Sequence, residues 1–282
     1  MSAAIRPRRS ALYMPASNAR AIAKARTLPC DVVILDLEDA VAPEAKAAAR
    51  DAAVTAVREG GFGAREVVVR VNALESEWGG DDLTALAGVL PDAVLLPKVD
   101  DERDVAGYAG RLPGVPLWAM VETPRALLRL DRLAAAPGLA ALVMGTNDIA
   151  KDLGVRPGTD RLPLLGFLAQ SVAAARAHGL AILDGVYNAI EDAEGFAREC
   201  AQGLRFGFDG KTLIHPAQIE PCNEAFSPTS EEIAWAEMVE RAFAAPEAAG
   251  RGAIRVEGAM VERLHLEQAR RTLAVAQAVG RG

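Results

Sequence analysis

The sequence predicts an α/β protein, a (β/α)8 barrel of the TIM type with a C-terminal helical extension. Three observations carry that reading. Short apolar runs alternate with helical stretches. Several runs are continuous Val, Ile and Leu, the pattern of parallel strands buried on both faces. Polar residues recur at the C-terminal ends of the runs, and a barrel gathers those ends on one face, whereas an open sheet spreads them. The length of 282 residues suits one such barrel, and an apolar share of 51% supplies a large core.

The first run, Ser10–Met14, leads into a helix from Asn18. The second is Val32–Leu37, followed by a helix over Glu44–Glu59. Runs three to six are Val67–Val71, Ala93–Pro97, Leu117–Val121 and Leu139–Met144, with a helix over Arg161–Ala177 after the last. Ala181–Leu183 is the seventh, followed by a helix over Ile190–Ala201, and Leu204–Phe208 is the eighth. The organisation expected is a catalytic barrel over residues 1–225 and a helical extension or lid over 226–282. The extension holds a helix at Thr229–Ala244, an Ala-, Gly- and Pro-rich stretch at Ala244–Gly258, and an amphipathic helix at Met260–Val279.

Composition excludes several classes. A net charge of −7 argues against a nucleic-acid binder, which needs a basic surplus. Three dispersed cysteines, Cys30, Cys200 and Cys222, make neither a disulfide framework nor a zinc motif and suit a cytoplasmic protein. No run approaches the ~20 apolar residues of a membrane span. No glycine-rich nucleotide motif, serine-hydrolase elbow or histidine cluster occurs. The N-terminus carries Arg6, Arg8, Arg9, Arg20, Lys24 and Arg26 with no acid before Asp31, as a transit peptide would. The strand-then-helix pattern places it in the fold instead.

The densest chemical signal is Asp36-Leu37-Glu38-Asp39, three carboxylates straight after an apolar strand. Such acids repel unless a cation or donors sit among them. A solvated loop with Asp39 as a helix cap is the competing reading. Glu122 and Asp148 each follow an apolar run, and two acids from neighbouring strands meet what Mg²⁺ asks of a protein. Each alone could be a salt bridge or a cap. Arg70, inside Val69-Arg70-Val71-Asn72, needs an anion if buried. That anion is either a substrate carboxylate, which its planar fork suits, or an internal acid such as Asp36, Glu38 or Asp39. Lys98 carries the same two readings.

Together and in order, Arg9-Ser10-Ala11-Leu12-Tyr13-Met14-Pro15, Asp36-Leu37-Glu38-Asp39-Ala40-Val41, Arg70-Val71-Asn72, Leu96-Pro97-Lys98, Glu122-Thr123 and Gly145-Thr146-Asn147-Asp148 resemble the citrate lyase β-subunit-like family. That family lies within the HpcH/HpaI aldolase/citrate lyase superfamily, beside malyl-CoA lyase, citramalyl-CoA lyase and malyl-CoA thioesterase. The resemblance runs from Arg9 to about Ala278. It implies that Glu122 and Asp148 ligate Mg²⁺, with Mn²⁺ as the alternative ion, that Glu38 and Asp39 hold its waters, and that Arg70 and Glu122 bind substrate. It also implies that coenzyme A lies near Arg9–Lys24, where Arg20 and Lys24, four apart on one helix face, could meet phosphates. A solvated face is the other reading of that pair.

One departure concerns the tail. Many relatives carry Gly-x-Met-[Ile/Val]-Asp, whose Asp reaches a neighbouring subunit as general base. Here Glu262 ends Gly258-Ala259-Met260-Val261-Glu262, an arm longer by about 1.5 Å. The expected activity is a Mg²⁺-dependent lyase that cleaves malyl-CoA or citramalyl-CoA to a 2-oxo acid and acetyl-CoA, with Glu262 and Arg70 as catalytic residues. The alternative is a thioesterase releasing malate and free CoA from the same substrate. An aldolase for free 2-oxo acids and a citrate-lyase-type subunit serving an acyl-carrier partner are further alternatives. A shared site would require a homo-oligomer, whether dimer, trimer or hexamer.

Overall fold

A computed structural model of the chain describes residues 6–245, 248 and 250–280. Eight parallel strands close into a barrel in sequence order. They are β1 (Ser10–Pro15), β2 (Val32–Asp36), β3 (Glu66–Arg70), β4 (Ala93–Leu96), β5 (Leu117–Val121), β6 (Leu139–Met144), β7 (Ala181–Asp184) and β8 (Gly210–Leu213). Closure pairs β1 with β8, Ser10 opposite Lys211. The surrounding helices are α1 (Ala19–Ala25), α2 (Lys46–Glu59), α3 (Gly79–Leu86), α4 (Glu102–Ala109), α5 (Pro124–Leu127), α6 (Leu130–Ala134), α7 (Thr146–Leu153), α8 (Leu165–Ala177), α9 (Ala193–Phe206) and α10 (Ile219–Ala225). Among the described residues, no helix is long and apolar enough to cross a membrane.

Strand residues alternate between two cores, as the period of two demands. Val32, Ile34, Val68, Leu95, Trp118 and Met120 fill the lumen. Val33, Leu35, Val69, Leu96, Leu117 and Ala119 face the helices. Continuing the alternation puts Asp36, Arg70 and Glu122 on the lumen side, at the C-terminal rim. In β7 the order reverses: Leu183 fills the lumen and Ile182 faces outward, so Asp184 points to the helix layer. Its carboxylate lies against Gly203 of α9, where a Cβ would stand 3.1 Å from Oδ2. Although Asp184 ends a strand, it is not a mouth acid.

The eighth strand falls elsewhere than the apolar run suggested. Leu204–Phe208 lies mostly in α9, and β8 is Gly210–Leu213. The strand contains Lys211, fully buried beside Asp184 and Glu199 at 3.1 and 2.6 Å, so its polar residue hides a core position. The helix expected from Ile190 begins at Ala193, where the Asp192 side chain accepts the Gly195 N–H. Asp39 is not the cap of the following helix: the 3-10 turn Pro43–Ala45, whose cap residue is Ala42, precedes α2, whose cap residue is Ala45.

At the N-terminal rim, Arg8 binds Glu66 at 2.6 Å and lies over the Trp118 ring, while Arg9 binds Asp31 at 2.8 Å. Arg26 reaches Glu59 at 3.0 Å. These arginines of the acid-free N-terminus are therefore structural. Arg20 and Lys24, on α1, are exposed and form no ion pair among the described residues.

Arg8–Phe226 form one compact unit. The chain from Ser227, with Arg6 and Pro7, forms the other. Its core joins α11 (Ser230–Ala244) to α12 (Arg263–Ala278) and to an antiparallel hairpin, β9 (Ala253–Val256) and β10 (Ala259–Glu262). The tail helix expected from Met260 thus starts at Arg263. Glu257 and Gly258, both at positive φ, make the two-residue turn that such hairpins favour. Residues 246, 247 and 249, within the stretch read as Ala244–Gly258, lie outside the described residues, as do 1–5 and 281–282.

Candidate active site

The rim over β2 to β6 gathers Asp36, Glu38, Asp39, Arg70, Lys98 and Glu122. Arg70 ends β3 with 7% of its surface exposed. Its Nε and Nη2 donate to the two oxygens of Asp36 at 2.7 and 2.6 Å. Its Nη1 lies 2.8 Å from Glu38 Oε2 and 3.5 Å from Asp39 Oδ2. The Tyr13 ring lies under the guanidinium at 4.8 Å. Burial opposes the Arg70 charge, but Asp36 and its neighbours hold the pKa well above the ordinary value. The internal partner is therefore chiefly Asp36, which also accepts the Glu38 and Ala40 N–H groups and so ties down the acidic loop.

Glu122 follows β5 and is 2% exposed. Its Oε1 accepts the Lys98 backbone N–H at 2.7 Å. Lys98 adopts φ +53, a conformation disfavoured for a side-chain-bearing residue, and that turn presents its amide. Burial, then the charge of Glu38, pushes the Glu122 carboxyl up to about 7, and Asp148 adds to the effect. Asp148 sits in the first turn of α7, half-buried. Gly145, just before that helix, makes room for the acid: a Cβ there would stand 2.4 Å from Glu122 Cβ and 2.9 Å from its Oε2.

Glu38 is also raised by burial, against the pull of Arg70. The Lys98 ammonium reaches its Oε1 at 3.2 Å. Glu38 Oε2 is buried with no aligned donor among the described residues, the Arg70 contact being close in distance but off in angle. An all-oxygen donor set, a buried acceptor without a donor and a desolvated carboxylate make a site short of positive charge. That fits a hard divalent cation. Among the described residues, no three His, Cys, Asp or Glu side chains converge into a cage, so such an ion would be held by few protein oxygens and would keep places for water and substrate.

Glu262 lies in the second unit, exposed, at the junction of β10 and α12. Its backbone N–H donates to His265 Nδ1 at 2.9 Å. The sequence reading missed Lys46, whose buried ammonium donates to the Leu37 and Glu38 carbonyls of the acidic loop. Only its position, eight residues after Glu38 at a helix start, could have signalled it.

Fold and site define a (β/α)8-barrel protein with an acidic, cation-seeking centre beside a buried arginine. The chain belongs to the HpcH/HpaI aldolase/citrate lyase family, whose pattern matches residues 9–216. It is 50% identical to (3S)-malyl-CoA thioesterase of Cereibacter sphaeroides over 97% of this chain and 96% of that one. With human mitochondrial citramalyl-CoA lyase it shares 34% identity over 97% of this chain and 86% of the relative. Among solved structures it is similar to the protein CitE of Mycobacterium tuberculosis in complex with magnesium, acetoacetate and coenzyme A. That likeness has a TM-score of 0.75 and 32% identity, and covers 96% and 97% of the two chains.

Proposed function

We propose that this chain is a Mg²⁺-dependent thioesterase for a short β-hydroxyacyl-CoA of the malyl-CoA type, releasing malate and free CoA. The observation that carries this reading is the 50% identity with a malyl-CoA thioesterase over almost the whole of both chains. The charge-deficient rim around Glu122 and Glu38 supports it. The second reading is the lyase, favoured by the 34% identity with citramalyl-CoA lyase.

Glu122 and Asp148 would hold the metal. When bound, the ion supplies Lewis acidity and positive charge for the substrate's oxygens. Glu38 and Asp39 orient water at the site. Arg70 keeps Asp36 on one edge and turns its Nη1 to the substrate carboxylate, in competition with Glu38. Lys98 fixes Glu122 through its amide and Glu38 through its ammonium. Arg20 and Lys24, exposed on α1, attract the CoA phosphates. In hydrolysis, Glu262 takes a proton from the water that adds to the thioester carbonyl, the C–S bond then breaks, and the Glu262 carboxyl returns that proton to the leaving sulfur, giving the acid and the thiol. In the lyase reaction the same carboxyl would protonate the acetyl-CoA enolate. Action of Glu262 on another subunit's site would make the enzyme a homo-oligomer, and the reducing cytoplasm suits its three free thiols.

Incubation of the protein with malyl-CoA and Mg²⁺, with all products quantified, tests the reading. Equal amounts of malate and free CoA are expected. Glyoxylate with acetyl-CoA would establish the lyase instead, and no product from malyl-CoA or citramalyl-CoA would refute both. Glu262→Gln is expected to slow turnover greatly without changing metal affinity; an unchanged rate removes Glu262 from the mechanism.

A further inference from the structure

We infer that Lys46 is a positioning residue that shapes the metal site by holding the main chain of the acidic loop. The inference rests on the metal-site reading above and goes beyond it.

Lys46 opens α2 and is 6% exposed. An ammonium has three donors, and each finds an acceptor: Leu37 O at 2.7 Å, Glu38 O at 2.8 Å and Asn72 Oδ1 at 2.7 Å. Two of these are carbonyls of the loop that carries Glu38 and Asp39. The third belongs to the segment following β3, two residues beyond Arg70. One cation therefore clamps the loops after β2 and β3 together.

The clamp is itself braced. Asn72 donates from its side chain and its backbone to Asp82 Oδ2, at 2.7 and 2.9 Å. Asp82, fully buried on α3, accepts Arg50 Nε at 2.7 Å on its other oxygen. Arg50 lies on α2 four residues after Lys46, so one face of that helix holds both ends of the chain of bonds. With its amide committed to Asp82, Asn72 has its oxygen turned toward Lys46. Burial lowers the Lys46 pKa against the pull of Asp36, Glu38, Asp82 and Asp39, and the three acceptors fix the place of its ammonium.

The electrostatic need is plain. Asp36, Glu38, Asp39, Glu122 and Asp148 crowd one rim, and their mutual repulsion would open the loop. Arg70 and Lys98 face the carboxylates and stand where a substrate or metal must come. Lys46 holds the loop by its backbone carbonyls and leaves the carboxylates of Glu38 and Asp39 to other partners, so its bonds to the loop need not break when the rim fills.

A cavity of about 320 Å³, lined in part by Lys46, Asn72, Trp78, Glu38, Asp39 and Lys98, joins this ammonium to the acidic rim. That opening provides a route for a small amine to replace a truncated side chain.

The test uses the full chain with Mn²⁺ as the probe, its affinity measured by electron paramagnetic resonance and turnover measured in parallel. Lys46→Met keeps the length of the side chain and removes the donors. It is expected to fold, to bind Mn²⁺ roughly tenfold to a hundredfold more weakly, and to lose kcat with little change in KM for the CoA ester. In Lys46→Ala, ethylammonium is expected to restore both Mn²⁺ affinity and rate, which a merely structural role would not allow. Should Lys46→Met fail to fold, Asn72→Ala, which removes one acceptor and leaves the ammonium, is expected to weaken Mn²⁺ several-fold. Unchanged Mn²⁺ affinity in a folded Lys46 variant overturns the inference, as does weakened affinity that ethylammonium leaves unrestored. Wild-type protein that binds Mn²⁺ but turns over no CoA ester refutes the proposed activity while the Lys46 comparison still decides the inference. Wild-type protein that binds no Mn²⁺ overturns both.

Discussion

The barrel unit holds two buried clusters of charge. At β7 and β8, Asp184 and Glu199 meet Arg161 and Lys211, so anions and cations balance. Arg161 reaches Asp184 at 2.8 Å and Lys211 reaches it at 3.1 Å. Burial opposes ionisation, yet the two cations hold the Asp184 carboxyl below its usual range. At β2 to β6 the acids outnumber Arg70 and Lys98, and burial pushes Glu122 up to about 7. Even the unmatched atoms differ in sign. Among the described residues the first cluster has a spare donor, Arg161 Nη2, and the second a spare acceptor, Glu38 Oε2. One cluster faces the helices and is balanced in charge; the other faces the lumen and is short of positive charge. Buried charge alone therefore does not mark a site. The sign of its imbalance and the side of the strand it occupies do.

The largest effect expected is structural. Lys211→Met strips a buried cation from Asp184 and Glu199 and should cost about 3–5 kcal/mol in urea unfolding. The turnover of the folded fraction should stay near that of wild type. A loss of turnover with stability intact would break the contrast between the clusters.

The mirror experiment is Glu122→Gln, in which activity should fall on the order of a hundredfold to a thousandfold. Metal-free stability should hold or rise, because an isosteric amide removes a desolvated charge while still accepting the Lys98 N–H. Stability falling by several kcal/mol would place Glu122 with Asp184 as a scaffold group.

Opposite shifts give opposite pH dependence. Folded Glu122 holds its proton more tightly than the unfolded chain, from an ordinary 4.5 to about 7. Its contribution is complete below pH about 4.5, and about 3 kcal/mol is lost as pH rises through 7 in the metal-free protein. For Asp184 the contribution is present above its ordinary value of 3.8 and lost as pH falls through its depressed one. Unfolding at pH 4.5 to 8, with and without Mg²⁺, checks this, since bound metal should flatten the neutral limb. A flat metal-free curve would refute the Glu122 shift.

The smallest effect expected is from Gly145→Ala. Its backbone φ of −96° suits alanine, so the close approach to Glu122, and a lesser one to the flexible end of Met120, decide the outcome. A displacement of the carboxylate should lower kcat about tenfold, with weaker Mg²⁺ binding by calorimetry. Wild-type kinetics would show that the rim yields freely.

The sequence made the barrel legible because buried parallel strands are apolar on both faces. It made the rim legible because acids end those strands. It concealed β8, whose Lys211 is buried by ion pairing rather than by apolarity. It concealed the β9–β10 hairpin, since Met260 and Val261 also fit the apolar stripe of a helix. Asp36 was visible, but its bond to Arg70 became distinguishable from those of Glu38 and Asp39 only through distances. Lys46 was silent because two of its three partners are carbonyl oxygens, which every residue carries. Asp184 ends its strand as Asp36 and Arg70 end theirs, and only its phase, one step from the lumen, separates it from the rim.

Lys98 touches two acids by two separate means, its amide on Glu122 and its ammonium on Glu38. A conventional scan that shortens the side chain removes only the second contact. Alanine at this place would report half of the position's worth and leave Glu122 anchored. Because the main chain is already in a left-handed bend, glycine would relax the bend, and proline, fixed at negative φ, would forfeit both the bend and the donor. Drift or engineering can therefore retune the charge over Glu38 while the bend goes on presenting its amide, so long as the peptide keeps its turn.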